Sequence, residues 1–321
     1  MRIDELGGEF ALIRQITAGF PDFHGTAITV GDDAAVVPRP DGAFAFYTTD
    51  TLVEGVHFRL QWSSPAQVGI KTVEANVSDI AAMGGRPEFL LLNLVLPPDT
   101  QAEFVFTMYE AIRRRCEACE MTLLGGDTTS GPALMVSATV TGIGDRPVYR
   151  RGAQVGDLIC VTGDVGAAQA GIQALKQGQT RFGRSILRHL EPRCRLDLAQ
   201  RIAPIAHAMI DVSDGIGSEV RHICQASNVG AVIDTTLLPI HPETKGAAEA
   251  MGADPVGWAL SGGEDYQLLF TTSRDSVLSL LDDKADVTVI GRIADTSAGI
   301  VQVREGKEAQ PLSGGHDHFE R

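Results

Sequence analysis

Short apolar runs of strand length alternate along this chain with longer stretches whose apolar residues recur at helical spacing. Ala43 to Thr49, with Phe44, Phe46 and Tyr47, predicts a strand leading into Asp50. Pro65 opens a helix to about Met83, with Val68, Val73, Val77 and Ile80 near one face and Gly84-Gly85 as its stop. Asn76 and Asp79, three apart, share a face of that helix. Phe89 to Leu96 predicts a nearly continuous apolar strand, followed by a helix from about Thr100 to Glu120. Leu123-Leu124 reads as a short strand ending at Gly125-Gly126-Asp127, and Ala133 to Ile143 as another. Gly144-Asp145-Arg146-Pro147 then breaks the rhythm.

The second half restarts with a strand at Asp157 to Thr162, after which Gly163 to Gly166 opens a run of helices reaching about Ala206. Met209 to Val212 is a strand emptying into Ser213-Asp214-Gly215, and Gly217 to Gln225 continues as a helix. Strands at Val229 to Thr235 and Gln267 to Thr271, with two more near Val287 and Ile300, close the pattern. This alternation predicts an α/β protein of two domains, residues 1–147 and 148–321.

The polar positions carry the chemistry. Seven aspartates lie in glycine- and Ser/Thr-containing segments: Gly31-Asp32-Asp33-Ala34-Ala35, Thr48-Thr49-Asp50, Val77-Ser78-Asp79, Gly125-Gly126-Asp127 and Asp211-Val212-Ser213-Asp214-Gly215. Aspartate also caps helices and forms turns. Carboxylates gathered together, however, repel by roughly 4 kcal/mol per pair at about 4 Å and an effective dielectric of ~20. Such a cluster calls for cations, and an oxygen-only donor set suits magnesium or calcium.

Composition narrows the partners. Hydrophobic residues make up 44% of the 321 positions and the formal net charge is −14, which argues against nucleic acid or an anionic membrane. Arg113-Arg114-Arg115, the densest basic run, reads as a solvated helix face. The N-terminus has no apolar signal core and no run is long enough to span a bilayer, so a cytoplasmic protein is expected. Five irregularly spaced cysteines do not form a disulfide framework, and Cys116-Glu117-Ala118-Cys119 lacks the second pair or nearby His of a zinc site. There is no GxxxxGK[ST] loop, protein-kinase signature or GxSxG nucleophile. Glycine amides and carboxylates remain, a set suited to phosphoryl transfer, which depends mainly on positioning and charge neutralisation.

Beside Gly31-Asp32-Asp33-Ala34-Ala35, three of these blocks extend to Thr48–Phe58, Asn76–Gly85 and Gly125–Thr129, and a further one reads Ser261-Gly262-Gly263-Glu264-Asp265-Tyr266. Together with Asp211–Gly215 they resemble thiamine-monophosphate kinase, in the family's order and over the whole chain to the His318-Phe319 tail. The resemblance implies membership of a superfamily related to aminoimidazole ribonucleotide synthetase. The N-terminal domain would form a β-barrel-like homodimer interface, and the C-terminal domain a mixed sheet covered by helices. It also implies transfer of the ATP γ-phosphoryl group to thiamine monophosphate with several Mg²⁺ ions.

By that resemblance Asp33, Thr48, Thr49, Asp50, Asp79, Asp127, Asp211 and Asp214 are magnesium ligands. Tyr109, Gly126, Asp127, Arg150 and Ser213 contact ATP, while His57 and Glu264 contact the thiamine phosphate. Asp32 is left outside the ligand set, as ligand or turn former. Similar proteins carry an aromatic residue shortly before the final His-Phe; here His316 stands in that stretch and is the expected stacking contact. No covalent nucleophile is expected. Sister enzymes fit less well: selenophosphate synthetase has a cysteine or selenocysteine near its start, whereas the first cysteine here is Cys116. The hydrogenase-maturation member ends in a reactive cysteine, whereas this chain ends in Glu320-Arg321, and Glu54–Phe58 speaks against aminoimidazole ribonucleotide synthetase. A non-catalytic nucleotide or thiamine-phosphate sensor would have lost metal aspartates, and none is lost.

Overall fold

The computed structural model describes residues 3–6, 8–20, 30–282, 285–304 and 308–315. The first half comprises α1 (Ile3–Leu6), α2 (Glu9–Thr17), β1 (Ala35–Pro38), β2 (Phe44–Val53), α3 (Pro65–Ala82), β3 (Arg86–Leu96), α4 (Ala102–Ala118), β4 (Thr122–Ser130) and β5 (Met135–Gly144). The second comprises β6 (Leu158–Thr162), α5 (Ala167–Lys176), α6 (Gly183–Leu190), α7 (Leu196–Ile202), β7 (Ala208–Asp211), α8 (Ile216–Ser227), β8 (Gly230–Asp234), α9 (Pro242–Met251), α10 (Pro255–Ser261), β9 (Leu268–Thr272), α11 (Arg274–Asp282), β10 (Val287–Ala294), β11 (Ile300–Val303) and β12 (Gln310–Pro311). The strands form a five-stranded sheet, β1-β2-β5-β3-β4, and a seven-stranded sheet, β12-β11-β8-β10-β6-β9-β7. Both are mixed, with parallel pairing among the described strands at β3–β4 and β8–β11. The α/β expectation holds.

Strand alternation decides what each sheet buries. In the larger sheet Ile159, Val161, Ile210 and Leu269 face a core with Val220 and Ile223 of α8, while Cys160, Met209 and Phe270 face Leu198, Ile202 and Val277 of α7 and α11. Both of its faces are covered. In the smaller sheet Phe46, Leu52, Leu90, Leu92, Val136 and Val140 pack with α3 and α4 on one face. On the other, Tyr47, Phe89 and Leu91 are exposed at 46%, 39% and 39%. Among the described residues this sheet is open rather than a closed barrel.

Helix α3 starts from a capping box: Ser64 Oγ accepts from Gln67 N at 3.3 Å, and Gln67 Oε1 accepts from Ser64 N at 2.9 Å. It packs on β2 and β5, alongside α4, and turns its far side to β7 and α7. Ala81 and Ala82 thereby join the core of the second half. Buried Glu74 completes the bond between halves, pairing with Arg115 and, at 3.0 Å, with Arg193, while its Oε2 accepts from Cys194 N at 2.9 Å.

Two sequence expectations need correction. Asp50 does not follow the end of its strand; β2 runs on to Val53 because it pairs with β5 from Phe44 to Val53. Likewise Gly125-Gly126-Asp127 lies within β4 rather than after it, because the parallel ladder with β3 continues to Ser130 past a bulge between Leu90 and Leu91. A Cβ on Gly126 would collide with the Leu92 carbonyl, which is why the ladder tolerates only glycine there. Strand β1 and helices α2, α9, α10 and α11 are not among the elements expected from the sequence.

Candidate active site

A cavity of about 700 Å³ opens between the two sheets. Its acidic end is assembled from three elements. Asp79 comes from α3, Asp211 from the end of β7, and Asp33 from the segment before β1. One carboxylate oxygen of each lies within 4.8 Å of the others. Their neighbours fix them: Thr48 Oγ1 donates to Asp79 Oδ2 at 2.5 Å, and Ser78 Oγ donates to Asp211 Oδ2 at 2.6 Å. Asn76 Oδ1 accepts from Asp50 N at 3.0 Å, so the shared face of Asn76 and Asp79 does meet β2. Thr48 and Asp50 point with Phe46 toward the α3 side, by strand alternation. Thr49 points the other way, its hydroxyl donating to the Ala138 carbonyl at 2.9 Å.

Arg150 closes this end. Its Nη2 and Nε donate to Asp33 Oδ1 at 2.5 and 3.2 Å, and its main-chain N–H lies 3.2 Å from both Asp32 oxygens. One guanidinium does not balance the cluster. Burial, with Asp50, Asp211 and Asp33 adding to it, pushes the Asp79 carboxyl well above its ordinary range. Burial and Asp33 do the same to Asp211. Asp32 is pushed from 3.8 up to about 7 by burial and by Asp33. Asp33 Oδ2 is buried with no protein partner. An orphaned hard oxygen among mutually repelling carboxylates fits a divalent cation such as Mg²⁺. On the neighbouring loop Ser213 and Asp214 also line the cavity, and Asp214 N donates to Glu219 Oε1 at 2.7 Å.

The opposite end is built differently. Glu264 Oε1 lies 2.7 Å from Lys71 Nζ, and its Oε2 lies 3.1 Å from His189 Nδ1. Burial alone would raise Glu264, but the Lys71 ammonium and the His189 ring outweigh it and bring the carboxyl down from 4.5 to about 2. His57 lies beside this group, its Nδ1 accepting from Val53 N at 3.1 Å and its carbonyl accepting from Lys71 Nζ at 2.7 Å. Glu264 and Tyr266 have φ of +67° and +48°, a backbone region that non-glycine residues rarely occupy. The surrounding loop is held there by Glu264 N donating to Ser213 O at 2.8 Å and Tyr266 N to Val212 O at 2.9 Å.

Of the residues singled out in the sequence, Asp33, Thr48, Thr49, Asp50, Asp79, Asp211, Asp214, Arg150, Ser213, His57 and Glu264 all line this one cavity, as does Asp32. Three do not. Gly126 and Asp127 sit on β4, three strand spacings or about 14 Å from β2. Tyr109 lines a separate apolar cavity of about 540 Å³ with Phe106, Ile112 and Leu123. His316 lies outside the described residues. Lys71, His189, Gln169 and Lys176 escaped the sequence reading. Lys71 had a signal: α3 is apolar on several sides, so its charged residues must be buried and paired.

Two α/β units joined around an acid-lined cleft define a class. Residues 31–144 match the AIR synthase related protein N-terminal domain, and residues 154–304 match the corresponding C-terminal domain. Within that class the likeness is narrower. The thiamine-monophosphate kinase of Aquifex aeolicus (strain VF5) is 36% identical over 323 residues, covering 99% of this chain and 100% of that protein. That of Escherichia coli (strain K12) is 36% identical over 304 residues, covering 90% and 91%. The structure of AaThiL complexed with AMPPCP and TMP matches with a TM-score of 0.88 at 35% identity, over 99% of both chains. The chain belongs to the thiamine-monophosphate kinase family, and it is an enzyme of that phosphotransferase type. Among the described residues no helix is long and apolar enough to cross a membrane.

Proposed function

We propose that this protein transfers the γ-phosphoryl group of ATP directly to the phosphate of thiamine monophosphate, giving thiamine diphosphate and ADP. The observation that carries this reading is the polarity of the cavity, with a carboxylate cluster that Arg150 only partly neutralises at one end and Glu264, backed by Lys71, at the other. Asp33, Asp50, Asp79, Asp211 and Asp214 would hold Mg²⁺, with Thr48 orienting Asp79. Magnesium would supply charge neutralisation to the phosphates of both substrates.

The protein's own groups do the rest. Arg150 is fixed on Asp33 and Asp32, with its guanidinium beside the cluster to receive phosphate oxygens. Glu264 stays ionised and offers a carboxylate to the cationic ring of the acceptor. An acceptor phosphate oxygen attacks the γ-phosphorus in line, the bond to the β–γ bridging oxygen breaks, and ADP leaves with that electron pair. This route assigns no covalent role to a side chain of the cavity and requires both substrates to be bound together.

The proposal includes a homodimer. Asp127, Asn93, Ser137 and Thr51 stand in register across the open face of the smaller sheet. That face also carries Tyr47, Phe89 and Leu91, which a second copy would cover. Packing the two faces about a two-fold axis would bring Gly126 and Asp127 of the partner subunit toward this chain's nucleotide. It would also explain why they lie apart from the cavity in a single chain. Five free cysteines, mostly buried, suit a reducing compartment such as the cytoplasm.

Incubation of the purified protein with Mg-ATP and thiamine monophosphate should give thiamine diphosphate, and excess EDTA should abolish it. Initial-rate plots should intersect, and a chiral γ-phosphoryl group should emerge inverted. Parallel plots, or a phosphorylated enzyme that passes its phosphate on at the turnover rate, would defeat direct transfer.

A further inference from the structure

Lys71 is a buried ammonium at 2% exposure in the middle of α3, and it does not line the cavity. Its two observed partners come from different halves of the chain. It donates to the His57 carbonyl, at the turn that follows β2, and it pairs with Glu264, on the loop between α10 and β9. Both partners do line the cavity. Each is also tied to the acidic end. The turn of His57 continues from the strand that bears Thr48 and Asp50, and the Glu264 loop is bonded to Val212 and Ser213.

A lysine so placed cannot touch substrate, yet it fixes two groups that face it. The loop needs such a tie. Left-handed backbone at Glu264 and Tyr266 persists only where neighbouring contacts over-determine it. A Cβ on Gly263 would collide with the Ser213 carbonyl, so this loop approaches its neighbour as closely as a backbone can. Main-chain bonds fix the loop's path, but of the described charged groups only Lys71 and His189 contact the Glu264 carboxylate. His189 is itself pushed below 6.5 by burial and by Lys71, and the shorter contact to Glu264 is that of Lys71.

We infer that Lys71 is the positioning residue of the acceptor end, holding His57 and Glu264, one from each half of the chain, in register so that an anionic oxygen faces a cationic acceptor ring. This rests on the function proposed above. Lys71 therefore governs how tightly the acceptor is held, while the nucleotide end keeps ties of its own through Arg150 to Asp33 and through the main-chain bonds of the Glu264 loop. A lysine that merely filled the core would affect melting temperature and both substrates alike.

The test uses the full-length chain with Lys71→Met, which keeps the stem and drops the charge, and Lys71→Gln, which keeps a donor for the His57 carbonyl. Each is compared with Glu264→Gln and with Lys71→Met combined with Glu264→Gln. Both Lys71 variants should raise KM for thiamine monophosphate by about tenfold or more while KM for ATP stays within about twofold. The double variant should be no worse than Glu264→Gln alone, since both changes remove one interaction. An unchanged acceptor KM in a folded variant, or a parallel rise in both KM values, overturns the inference. If Lys71→Met does not fold, Lys71→Gln decides on the same criteria. If the unmodified protein leaves thiamine monophosphate untouched, the proposed reaction fails. Calorimetric binding of thiamine then decides on Lys71 separately: about tenfold weaker binding in the variants supports the inference, and equal or absent binding throughout overturns it.

Discussion

The two ends of the cavity are both lined by carboxylates partly or wholly withdrawn from solvent, yet they treat charge in opposite ways. Glu264 has its counter-ion built in, the Lys71 ammonium at 2.7 Å, and its pKa falls to about 2. Of the described cations Arg150 acts on Asp33 and Asp211, and burial together with mutual repulsion pushes Asp79 and Asp211 well up. A carboxylate that folds with its own cation is finished when the chain is folded. A cluster that folds without enough cations is finished only when ions or ligands arrive. On the proposed function, the difference would make one end a preset recognition group and the other a site for an exchangeable charge.

Neutralising substitutions break this comparison most sharply. Asp79→Asn or Asp211→Asn should lower turnover at saturating Mg²⁺ by more than about a hundredfold. In EDTA the same variants should melt at or above the temperature of the parent, because each removes a repelling charge. Near-normal turnover would make these aspartates structural. Glu264→Gln should do the reverse to stability. It leaves Lys71 buried without its anion, at a cost of about 3–5 kcal/mol in denaturant unfolding. A melting curve unchanged by Glu264→Gln would remove the distinction between the two ends.

The pH dependence sharpens the same contrast through opposite signs. Asp32 titrates near 7 in the fold against 3.8 when unfolded, and Asp79 and Asp211 are also raised. Their folded forms hold more protons than the unfolded chain, so stability without metal should fall as pH rises from about 4 through 7. Glu264 is lowered from 4.5 to about 2, so its contribution is present above 4.5 and is lost as pH falls toward 2. Melting temperatures across this range in EDTA should therefore slope downward, and Mg²⁺ should flatten the slope. Asp79→Asn should flatten it in part, and Glu264→Gln should not. The smallest effect separates two neighbours on β2. Thr48→Val should lower turnover by about tenfold, because the Thr48 hydroxyl orients Asp79. Thr49→Val should change it by less than about threefold, because its hydroxyl serves the Ala138 carbonyl on the other face.

Much of this arrangement was legible in the sequence, for reasons that differ by residue. The predicted helix from Pro65 to about Met83 appears as α3, because its proline, capping serine and terminal glycines are local signals. Asn76 and Asp79 fall on one face by spacing alone. The common destination of Asp33, Asp79 and Asp211 rested on the ordered set of motifs, since no local rule brings residues so far apart together. The burial of Lys71 has a local signal, but its partner does not, because Glu264 lies nearly 200 positions away. Asp127 looked like a loop residue because glycines usually end strands. Here they allow β4 to lie against the β3 backbone.

Helix α3 has a consequence for how this protein can be taken apart. Its sequence position assigns it to the first half, but Ala81 and Ala82 complete the core beneath α7, and Glu74 is bonded to Arg193 and to the Cys194 amide. A fragment ending after β5 would carry a helix with bare alanines and a buried acid stripped of part of its neutralising shell. The complementary fragment would lack the lid on one of its cores. The two halves are thus modules on paper and should unfold as a single cooperative unit on heating. Recombination between relatives has to respect this. A chimera that exchanges α3 without the Arg193–Ile202 segment separates surfaces that fit only each other, and its fitness depends on a seam that runs through the middle of a helix.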